Sequence, residues 1–378
     1  MKKLLASLSC LTLLTVSAQS SFIIKDVTIF DGEQVLENTS VYIKNGIIED
    51  IGTSIQLADT IIDGTHKFLM PGMVNAHVHA WAKGALQQAA QAGVLSLLDM
   101  HGNEPLQTTL TQLKDSTQYA RYFVAGFAAT APGGHGTQYG FPVPTLEKPE
   151  DAKSFVNERI SNGADYIKVI VEPWKTTLSH ETVKAIIKEG HEKNKKVVVH
   201  VSKMEDGYQV LANSADGLVH LWSDQSIPEE KLKELIHKKS FFVIPTLLTI
   251  IRVQKAYFQK TEEETEKVKQ FLLSEIKRLY DAGVTILAGT DPPNANINYG
   301  TDLYQEIQLL VEAGIPVRDA LKSATSLPAI HFELPGIGMI KKGYDADLIL
   351  LSKNPLDTID HLSNIEAIWK KGKKVSLK

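Results

Sequence analysis

The sequence has almost no cysteine. Its single cysteine, Cys10, lies within the first twenty of the 378 residues. The rest of the chain can therefore form no disulfide and offers no thiolate as a nucleophile or metal ligand. Any metal site in that part of the chain must use histidine nitrogens and oxygen ligands.

The sequence also lacks a strong excess of charge and a long apolar run. The formal net charge is -4 and the pI is about 6.3, which gives no indication of binding to nucleic acid or to an anionic membrane. The apolar stretch near the N-terminus is too short to span a bilayer, and no later run has that length. With 43% hydrophobic and 22% charged residues, the composition is that of a globular protein, long enough for one large α/β domain and a smaller unit.

Residues 1–18 predict a secretory signal peptide. Lys2 and Lys3 precede an apolar stretch that ends in small residues at Ala18. Cleavage after Ala18 removes two of the 40 basic residues and leaves 38 against 44 acidic residues. We therefore expect an exported protein, periplasmic or secreted. Lipidation at Cys10 is the alternative, although Ser7 stands where a lipoprotein signal usually has leucine.

The middle of the chain differs from its two ends. Both ends alternate apolar and polar residues between turn signals, which predicts short antiparallel strands. In the middle, apolar runs alternate with helical segments, and the runs have the unbroken apolar character of parallel strands covered on both faces. The runs are 73–79, 93–100, 121–127, 165–171, 196–201, 216–222, 241–248 and 284–291.

Strand–helix repeats of this kind predict an α/β fold with a (β/α)8 TIM barrel. The strand-rich ends predict a small β-sandwich domain built from both chain termini. We assign residues 21–67 and 338–378 to the β-sandwich and residues 68–337 to the barrel. Functional residues of such a barrel lie at the C-terminal ends of its strands.

Polar groups stand at five of these predicted strand ends. In the stretch VNAHVHA, His77 and His79 are at positions i and i+2, which point the same way in a strand. Two such histidines alone could equally be ordinary half-buried residues. Their joint occurrence with further polar groups at matching strand ends predicts a metal site. The further groups are Lys168, His200, His220 and Asp291.

The ligand types indicate two metal ions. Imidazole and carboxylate ligands suit zinc and related ions. Six ligands are too many for one open site but fit two ions that share a bridging ligand. Burial beside metal ions should lower the pKa of Lys168, and a neutral amine can add carbon dioxide to form a carbamate. We therefore expect two divalent ions, taken to be zinc, bridged by a carboxylated Lys168.

The motifs HVH, YIKVIV, VVVH, LVHL and AGTD together resemble the amidohydrolase superfamily. So do PGMVNAHVHA, APGGHG and the closing segment SATSLPAIHFELPGIGMIKKGYDADLIL. The resemblance covers nearly the whole mature chain and implies a metal-dependent hydrolase with a barrel beside a β-sandwich. It also implies a ligand set: the more buried ion bound by His77, His79 and Asp291, the more exposed ion by His200 and His220, and Lys168 as the bridge.

With Lys168 at this position, the sequence resembles the branch of the superfamily related to imidazolonepropionase. That branch contains Xaa-Pro and other dipeptidases. Lys168 argues against the single-metal deaminases, which lack that lysine. The stretch HVSKMED has no second histidine, which is consistent with the two-metal branch. The stretch LLDMHG lacks an arginine that relatives often have at the end of strand 2.

We expect a secreted hydrolase that cleaves an amide C–N bond in dipeptides or N-acyl amino acids. A metal-bridging hydroxide would attack the carbonyl carbon, and Asp291 would act as general acid–base. His135, flanked by glycines, and Tyr208, eight residues after His200, are the predicted substrate-binding residues, although Tyr208 could equally serve packing. The partner is a small-molecule substrate, with no nucleic acid and no membrane span, and oligomerisation is left open.

Two alternatives remain at this stage. The same two-metal site could act on a lactone, an ester or a phosphotriester. A non-catalytic binding protein could also retain the scaffold, although such a protein has no need of Lys168 and Asp291 in register.

Overall fold

The structure is a computed structural model that describes residues 21–55, 58 and 60–377. The predicted signal peptide and Cys10 lie outside the described residues. The strands are β1 (Ser21–Phe30), β2 (Val35–Lys44), β3 (Ile47–Gly52), β4 (Thr60–Asp63), β5 (Phe68–Pro71), β6 (Met73–Val78), β7 (Val94–Asp99), β8 (Arg121–Val124), β9 (Ile167–Ile170), β10 (Val197–His200), β11 (Gly217–Val219), β12 (Phe242–Ile244), β13 (Thr285–Ile286), β14 (Leu348–Leu351), β15 (Ile365–Lys370) and β16 (Lys373–Lys374).

Helices follow most of the strands from β6 onward. Their ends agree with local sequence signals: the longest helix starts at a capping box in which Thr261 and Glu264 bond to each other's backbone N–H groups. The helices are α1 (Lys83–Gln91), α2 (Glu104–Thr111), α3 (Asp151–Ser161), α4 (His180–Glu192), α5 (Met204–Ala212), α6 (Glu229–Lys238), α7 (Leu247–Ala256), α8 (Glu262–Asp281), α9 (Asp302–Glu312), α10 (Val317–Ser323) and α11 (Ser326–His331).

Strands from both ends of the chain form one sheet, which confirms that the two termini fold together. Its order is β16-β15-β14-β5-β1-β2-β3, and β4 pairs with β1. Most neighbours are antiparallel, but β1 runs parallel to β4 and β5. The β-sandwich is not confirmed, because these strands are hydrogen-bonded as one continuous sheet. The predicted boundary at residue 67 also gave β5 to the barrel, whereas β5 lies in this terminal sheet between β14 and β1.

The strands of the middle region are parallel and pair in chain order. β6, β7 and β8 form a three-stranded sheet, and β9 to β13 form a five-stranded sheet. These eight strands lie within the eight predicted runs but are shorter, because several runs continue past the last paired residue into the segments that carry polar side chains. The predicted alternation of parallel strands and helices is therefore confirmed.

Backbone hydrogen bonds connect the two parallel sheets at both of their edges. At one edge, Ala129 N donates to Lys168 O at 2.8 Å and Ile170 N donates to Ala129 O at 2.9 Å. At the other edge, Asp291 N donates to His77 O at 2.8 Å. The structure thus shows an α/β fold with two linked parallel sheets, and complete closure into a barrel stays a prediction.

An apolar cluster lies on one common side of the parallel strands. It includes Val74 of β6, Val198 of β10 and Ile244 of β12, all fully buried or nearly so. Tyr166, directly before β9, belongs to the same cluster, and its hydroxyl donates to the carbonyl oxygen of Asp99 at the end of β7 at 2.9 Å. The cluster therefore packs beneath the strand ends that carry the predicted site.

Buried charges fix the terminal sheet against the parallel strands. Arg121, the first residue of β8, forms salt bridges to Asp345, at 2.5 Å, and to Asp347, just before β14. Lys370 of β15 donates to the carbonyl oxygens of Ser116 and Tyr119 at 2.8 and 2.5 Å. These contacts link β15 and the segment before β14 to β8 and the segment before it.

Candidate metal centre

Five of the six predicted ligands lie near or beyond the C-terminal ends of parallel strands, and the sixth, Lys168, is the second of the four residues of β9. β6 carries His77 and is followed by His79, β9 carries Lys168, and β10 ends on His200. The remaining two are His220, directly after β11, and Asp291, a few residues after β13.

Two of these residues hold a left-handed backbone conformation. The φ angle is 71° at His220 and 55° at Asp291. Non-glycine residues rarely adopt such angles, and they persist only where the surroundings enforce them. At both positions the chain leaves the regular strand, which aims the side chain inward at the edge of the sheet.

The side chains of His77, His79 and Asp291, here called the first group, converge on one point. Asp291 Oδ1 lies 3.3 Å from His77 Nε2 and 3.1 Å from His79 Nε2. The two imidazole Nε2 atoms are 3.2 Å apart. The buried Oδ1 atom has no hydrogen-bond partner of its own. Three ligand atoms thus face each other around a common centre.

Hydrogen bonds hold the first group in this arrangement. His79 Nδ1 donates to the carbonyl oxygen of His101 at 2.8 Å, which leaves Nε2 as the nitrogen with the free lone pair. Asn75 Oδ1 accepts from the backbone N–H groups of His77, at 3.2 Å, and Thr290, at 3.1 Å. The Asn75 amide therefore ties β6 to the residue before Asp291.

The side chains of Lys168, His200 and His220, here called the second group, have a different arrangement. The rings of His200 and His220 lie 4.6 Å apart between centroids. His200 Nε2 donates to the Glu172 carboxylate at 3.0 Å, which leaves Nδ1 with the free lone pair.

The second histidine of this group is held by a threonine. His220 Nδ1 lies 2.6 Å from Thr246 Oγ1, and this hydroxyl donates its proton to the Pro245 carbonyl oxygen. The hydroxyl must then accept from Nδ1–H, so His220 presents its Nε2 lone pair. Each histidine of the second group thus has one nitrogen fixed and one free for a ligand bond.

Lys168 is buried, with 2% of its surface exposed. Burial lowers the pKa of its amine to about 7, against the opposing charges of Asp291 and Asp99. A large fraction of this amine is therefore neutral near neutral pH. A neutral amine is the form that can react with carbon dioxide.

Burial also controls the charge of the histidines. It lowers the pKa of His77, His200 and His220 well below the usual value, and neighbouring positive charges, Lys168 among them, add to the effect. Burial acts the same way on His79, but the adjacent Asp291 carboxylate raises its pKa by more, so the net shift is upward. The three neutral imidazoles are in the state that metal binding requires.

The two groups form one continuous cluster, because the rings of His77 and His220 are 4.9 Å apart. In a tetrahedral site with bonds of about 2.0–2.2 Å, ligand atoms lie roughly 3.3–3.6 Å apart. The spacings of the first group, 3.1 to 3.3 Å, are close to that value. The first group therefore fits a divalent ion. The second group supplies two imidazoles and would need a carboxylated lysine as its third ligand.

The structure separates the two predicted substrate-binding residues. The ring of His135 lies 5.1 Å from that of His200 and 5.6 Å from that of Trp174, so His135 stands at the second group. Burial lowers its pKa.

The contacts of Tyr208 lie on a neighbouring helix, and its predicted role in substrate binding stays a prediction. Its hydroxyl donates to Glu234 of α6 at 2.7 Å, and Lys231 of the same helix covers its ring. The position of Tyr208 on α5 turns the ring toward the neighbouring helix, and the contacts of this ring do not include the ligand groups.

Several residues of the site were not predicted from the sequence. Glu172 is buried four residues after Lys168 and accepts from both His200 and Ser202, the latter at 2.6 Å. A carboxylate directly after a buried strand is a signal that could have identified it. Asn75 and Thr246 act through hydrogen bonds to distant segments, for which the sequence offers no comparable signal.

Asp99 is a further buried carboxylate at the end of β7. It accepts from Ala80 N at 2.6 Å, Tyr122 Oη at 2.7 Å, Gln107 Nε2 at 2.9 Å and His101 N at 3.1 Å. Burial raises its pKa, against these bonds and the charge of His79. Asp99 thereby fixes the backbone at Ala80 and at His101, next to the first group.

In the part of the chain that the structure describes, no helix has the length and apolar character to cross a membrane.

Comparison with known proteins places this geometry in context. The sequence profile of the Amidohydrolase family matches residues 68–375. The chain is 24% identical over 413 aligned positions to an ochratoxinase from Aspergillus niger, covering 91% of this chain and 84% of that protein. It is also 24% identical over 395 positions to a 5-methylthioadenosine/S-adenosylhomocysteine deaminase from Caldicellulosiruptor saccharolyticus, covering 92% and 88% of the two chains.

A solved structure shows the same fold. It is a Xaa-Pro dipeptidase with bound methionine in its active site, and it superimposes with a TM-score of 0.81. The alignment covers 94% of this chain and 100% of that chain, at 22% sequence identity. At this identity the likeness concerns the fold alone.

Proposed function

Because this chain belongs to the amidohydrolase family, we propose that it is a two-metal hydrolase that cleaves an amide C–N bond in dipeptides or N-acyl amino acids. Its relatives are hydrolases that act on carbon–nitrogen bonds. The observation that carries the proposal is the convergence of His77, His79 and Asp291 beside a second pair of histidines and a buried lysine.

We propose that the eight parallel strands close into a (β/α)8 barrel around this site. The hydrogen bonds between Ala129 and Lys168 at one edge, and between His77 and Asp291 at the other, support closure. Closure would explain why ligands from β6 and from the segment after β13 meet, although these segments are far apart in the sequence.

The two groups would hold one divalent ion each, and zinc suits their nitrogen and oxygen ligands. His77, His79 and Asp291 would bind the first ion, and His200 and His220 the second. Lys168, as a carbamate, would contribute to both. When bound, such ions lower the pKa of a coordinated water and polarise the substrate carbonyl.

Asp291 is the group placed to move a proton. Its Oδ1 lies 3.3 Å from His77 Nε2 and 3.1 Å from His79 Nε2, and a substrate amide held at the two groups would lie within its reach. Burial raises the pKa of Asp291, but the hydrogen bond and charge of His79 lower it by more, so the carboxylate is ionised and can accept a proton. It would take a proton from the attacking water and deliver it to the leaving nitrogen.

His135 is the second residue with a direct role. It stands at the second group on a glycine-flanked segment, and its pKa is lowered by burial, so it is neutral near pH 7. A neutral imidazole can donate one hydrogen bond to the oxygen on which negative charge develops. We assign His135 to that contact with substrate.

Metal analysis together with a substrate screen tests the proposal. Protein loaded with zinc or manganese should contain two ions per chain and should hydrolyse members of a dipeptide and N-acyl amino acid library. Intact-mass measurement should show the added mass of carbon dioxide on Lys168. Turnover of lactones, esters or phosphotriesters with no cleavage of any amide would overturn the amide assignment and favour that alternative chemistry.

We also propose that the protein acts after export, in the periplasm or outside the cell. Residues 1–18 have the lysines, apolar stretch and terminal small residues of a signal peptide. Mass spectrometry of the protein from its native cells should find an N-terminus at Gln19. An intact N-terminus at Met1 would contradict export.

A further inference from the structure

An aromatic surface lies directly beside the first group. It consists of side chains from segments that follow β6, β7 and β8 at the C-terminal edge of the sheet, and we call it the aromatic wall. Its members are Trp81, His101, Phe127, Tyr139 and Phe141. Because these strands are parallel, their following segments meet at the edge that carries the metal ligands.

The rings of the wall are in mutual contact. The ring centroid of Phe141 lies 5.8 Å from Trp81, 5.9 Å from Phe127 and 6.2 Å from His101. Tyr139 lies 5.5 Å from Trp81 and 5.6 Å from His101. These separations are in the range in which aromatic rings attract each other.

His101 connects the wall to the first group. Its carbonyl oxygen accepts the Nδ1–H of His79, and its ring lies 6.4 Å from that of His79. Tyr139 packs against His101 at 5.6 Å, in the part of the wall that contacts His79. The wall is therefore continuous with the place where the amide bond would be cleaved.

The wall carries no ionised side chain near neutral pH. The ring of His101 is neutral, because its Nδ1 accepts from Ala128 N while its Nε2 donates to Gly136 O. The opposite side of the site is polar, with Glu172, Ser202 and His135 around His200. The two sides would thus accept chemically different parts of a substrate.

Part of the wall is open to a ligand. Tyr139 has 36% of its surface exposed, although it is a large aromatic residue, and Trp81 is half-buried. If these rings only stabilised their own loop, burying the exposed ring faces would add further stability. Their exposure therefore favours a role in binding.

We infer that the aromatic wall receives an aromatic side chain of the substrate, so that the preferred substrates are dipeptides or N-acyl amino acids with a phenylalanine-like residue next to the cleaved bond. This inference rests on the proposed function, since the position of the cleaved bond is taken from the ligand groups. The face of a neutral ring stacks on Trp81, Tyr139 and Phe141, and a small side chain would leave those faces in contact with water.

Binding of reaction products tests the inference without depending on turnover. L-phenylalanine and L-alanine share the amino acid backbone and differ only in the ring. Calorimetric titration of the zinc-loaded protein should show tighter binding of L-phenylalanine. The Phe141→Leu variant, which keeps apolar volume but removes a ring, should bind L-phenylalanine about two- to tenfold more weakly, with L-alanine unchanged.

Two further variants distinguish a specific loss of ring binding from a general effect on folding. Tyr139→Ala removes an exposed ring and should give the same selective loss. Phe22→Leu changes a half-buried phenylalanine in the terminal sheet, stacked on Trp369 at 5.6 Å, and should alter binding of neither amino acid. Equal weakening of both ligands in Phe141→Leu and Tyr139→Ala, or no weakening in either, would overturn the inference.

Substrate assays separate this inference from the proposed function. Equal hydrolysis of alanyl and phenylalanyl dipeptides by the wild type and Phe141→Leu would overturn the ring preference and leave the amide hydrolase assignment standing. Ring-dependent binding without hydrolysis of any amide would overturn the proposed function and still support the wall as an aromatic binding surface.

Discussion

The first and second groups present their ligands in different ways. In the first group, three ligand atoms already lie 3.1 to 3.3 Å from one another. In the second group, His200 and His220 are held by Glu172 and Thr246, and the third member is a lysine with a largely neutral amine. The fold alone brings the three ligand atoms of the first group together, whereas the second group has two imidazoles and would gain a third ligand only if Lys168 were carboxylated.

The two groups differ because different kinds of contact hold their side chains in place. Backbone hydrogen bonds and the Asn75 amide fix the first group, so its geometry follows directly from strand pairing. Side-chain acceptors fix the histidines of the second group, and these contacts can be removed one at a time. The following predictions use this difference, in order of decreasing effect.

The largest effect is expected at Asp291, which belongs to the first group and is also the proposed proton carrier. Asp291→Asn should lower kcat for amide hydrolysis by about 10²- to 10⁴-fold, the usual value of a positioned general acid–base. The second ion should still bind, because its histidines are unchanged. Steady-state kinetics and metal analysis of the same sample measure both quantities.

A matched control is Asp319→Asn on α10, where the carboxylate accepts from Tyr280 and Lys322. Its kcat should stay within about twofold of the wild type, since it lies outside both groups. Full activity of Asp291→Asn would remove Asp291 from the proton-transfer role.

In the metal-free protein, the buried Lys168 should lower the free energy of unfolding relative to a variant with an apolar residue at this position. The pKa of Lys168 is about 7 in the folded state, below the unfolded value of about 10.4. Below pH 7 both states are charged and folding carries the full cost of burying the ammonium. Between pH 7 and about 10.4 the folded state is neutral while the unfolded state still binds a proton, so stability rises with pH.

Lys168→Met should therefore stabilise the metal-free protein at pH 6 by on the order of 2–5 kcal/mol, and the gain should shrink as the pH rises towards 10. Urea unfolding in the presence of a chelator measures it. Lys370→Met is the control: burial lowers the pKa of that lysine to about 7 as well, but its amine donates to two carbonyl oxygens, so the change should destabilise. A loss of stability at pH 6 in Lys168→Met would show that the buried lysine is compensated in the folded state.

Glu172 should affect the second ion without affecting the first. Glu172→Ala removes the carboxylate that orients His200 and should weaken binding of the second ion by about 10- to 100-fold. Glu172→Gln retains an acceptor oxygen and should recover part of that loss. Stepwise titration against a competing chelator resolves the two affinities, and equal weakening of both would show that Glu172 supports the whole cluster.

Thr246 should give the smallest effect. Thr246→Val keeps the branched shape but removes the oxygen that accepts from His220 Nδ1–H. Loss of one such bond should cost about 0.5–1.5 kcal/mol, or roughly two- to tenfold in affinity for the second ion. Thr246→Ser keeps the hydroxyl and should bind like the wild type, so a deficit in the serine variant would point to packing of the methyl group instead.

Sequence reasoning selected His77, His79 and Asp291, which the structure brings together, but it did not identify the contacts that position them. Apolar runs ending in polar residues identified the strand ends that carry Lys168, His200 and His220, because parallel strands place their C-terminal ends together. The i, i+2 argument for His77 and His79 was right about the pair but incomplete, since β6 ends at Val78 and its pairing shifts register between Asn75 and Val78. The two Nε2 atoms meet through that irregularity.

Tyr208 shows what proximity in the sequence leaves undetermined. Tyr208 lies near His200 in the sequence, but its turn of α5 presents the ring to Glu234 and Lys231 of α6. The direction of a side chain on a helix depends on which neighbour packs there. That neighbour comes from another part of the chain, so proximity in sequence does not determine contact.

The sequence by itself determined the alternation of parallel strands and helices, the joining of the two termini in one sheet, and the residue types at the strand ends. These features follow from local apolar pattern and turn signals. Only the tertiary structure decided which ring nitrogens are free and which carboxylate orients His200. It also decided how far burial lowers the pKa of Lys168 and where the aromatic wall lies. Each of these features depends on burial or on a hydrogen bond between segments far apart in the chain. The sequence of one segment contains no information about which distant segment will pack against it.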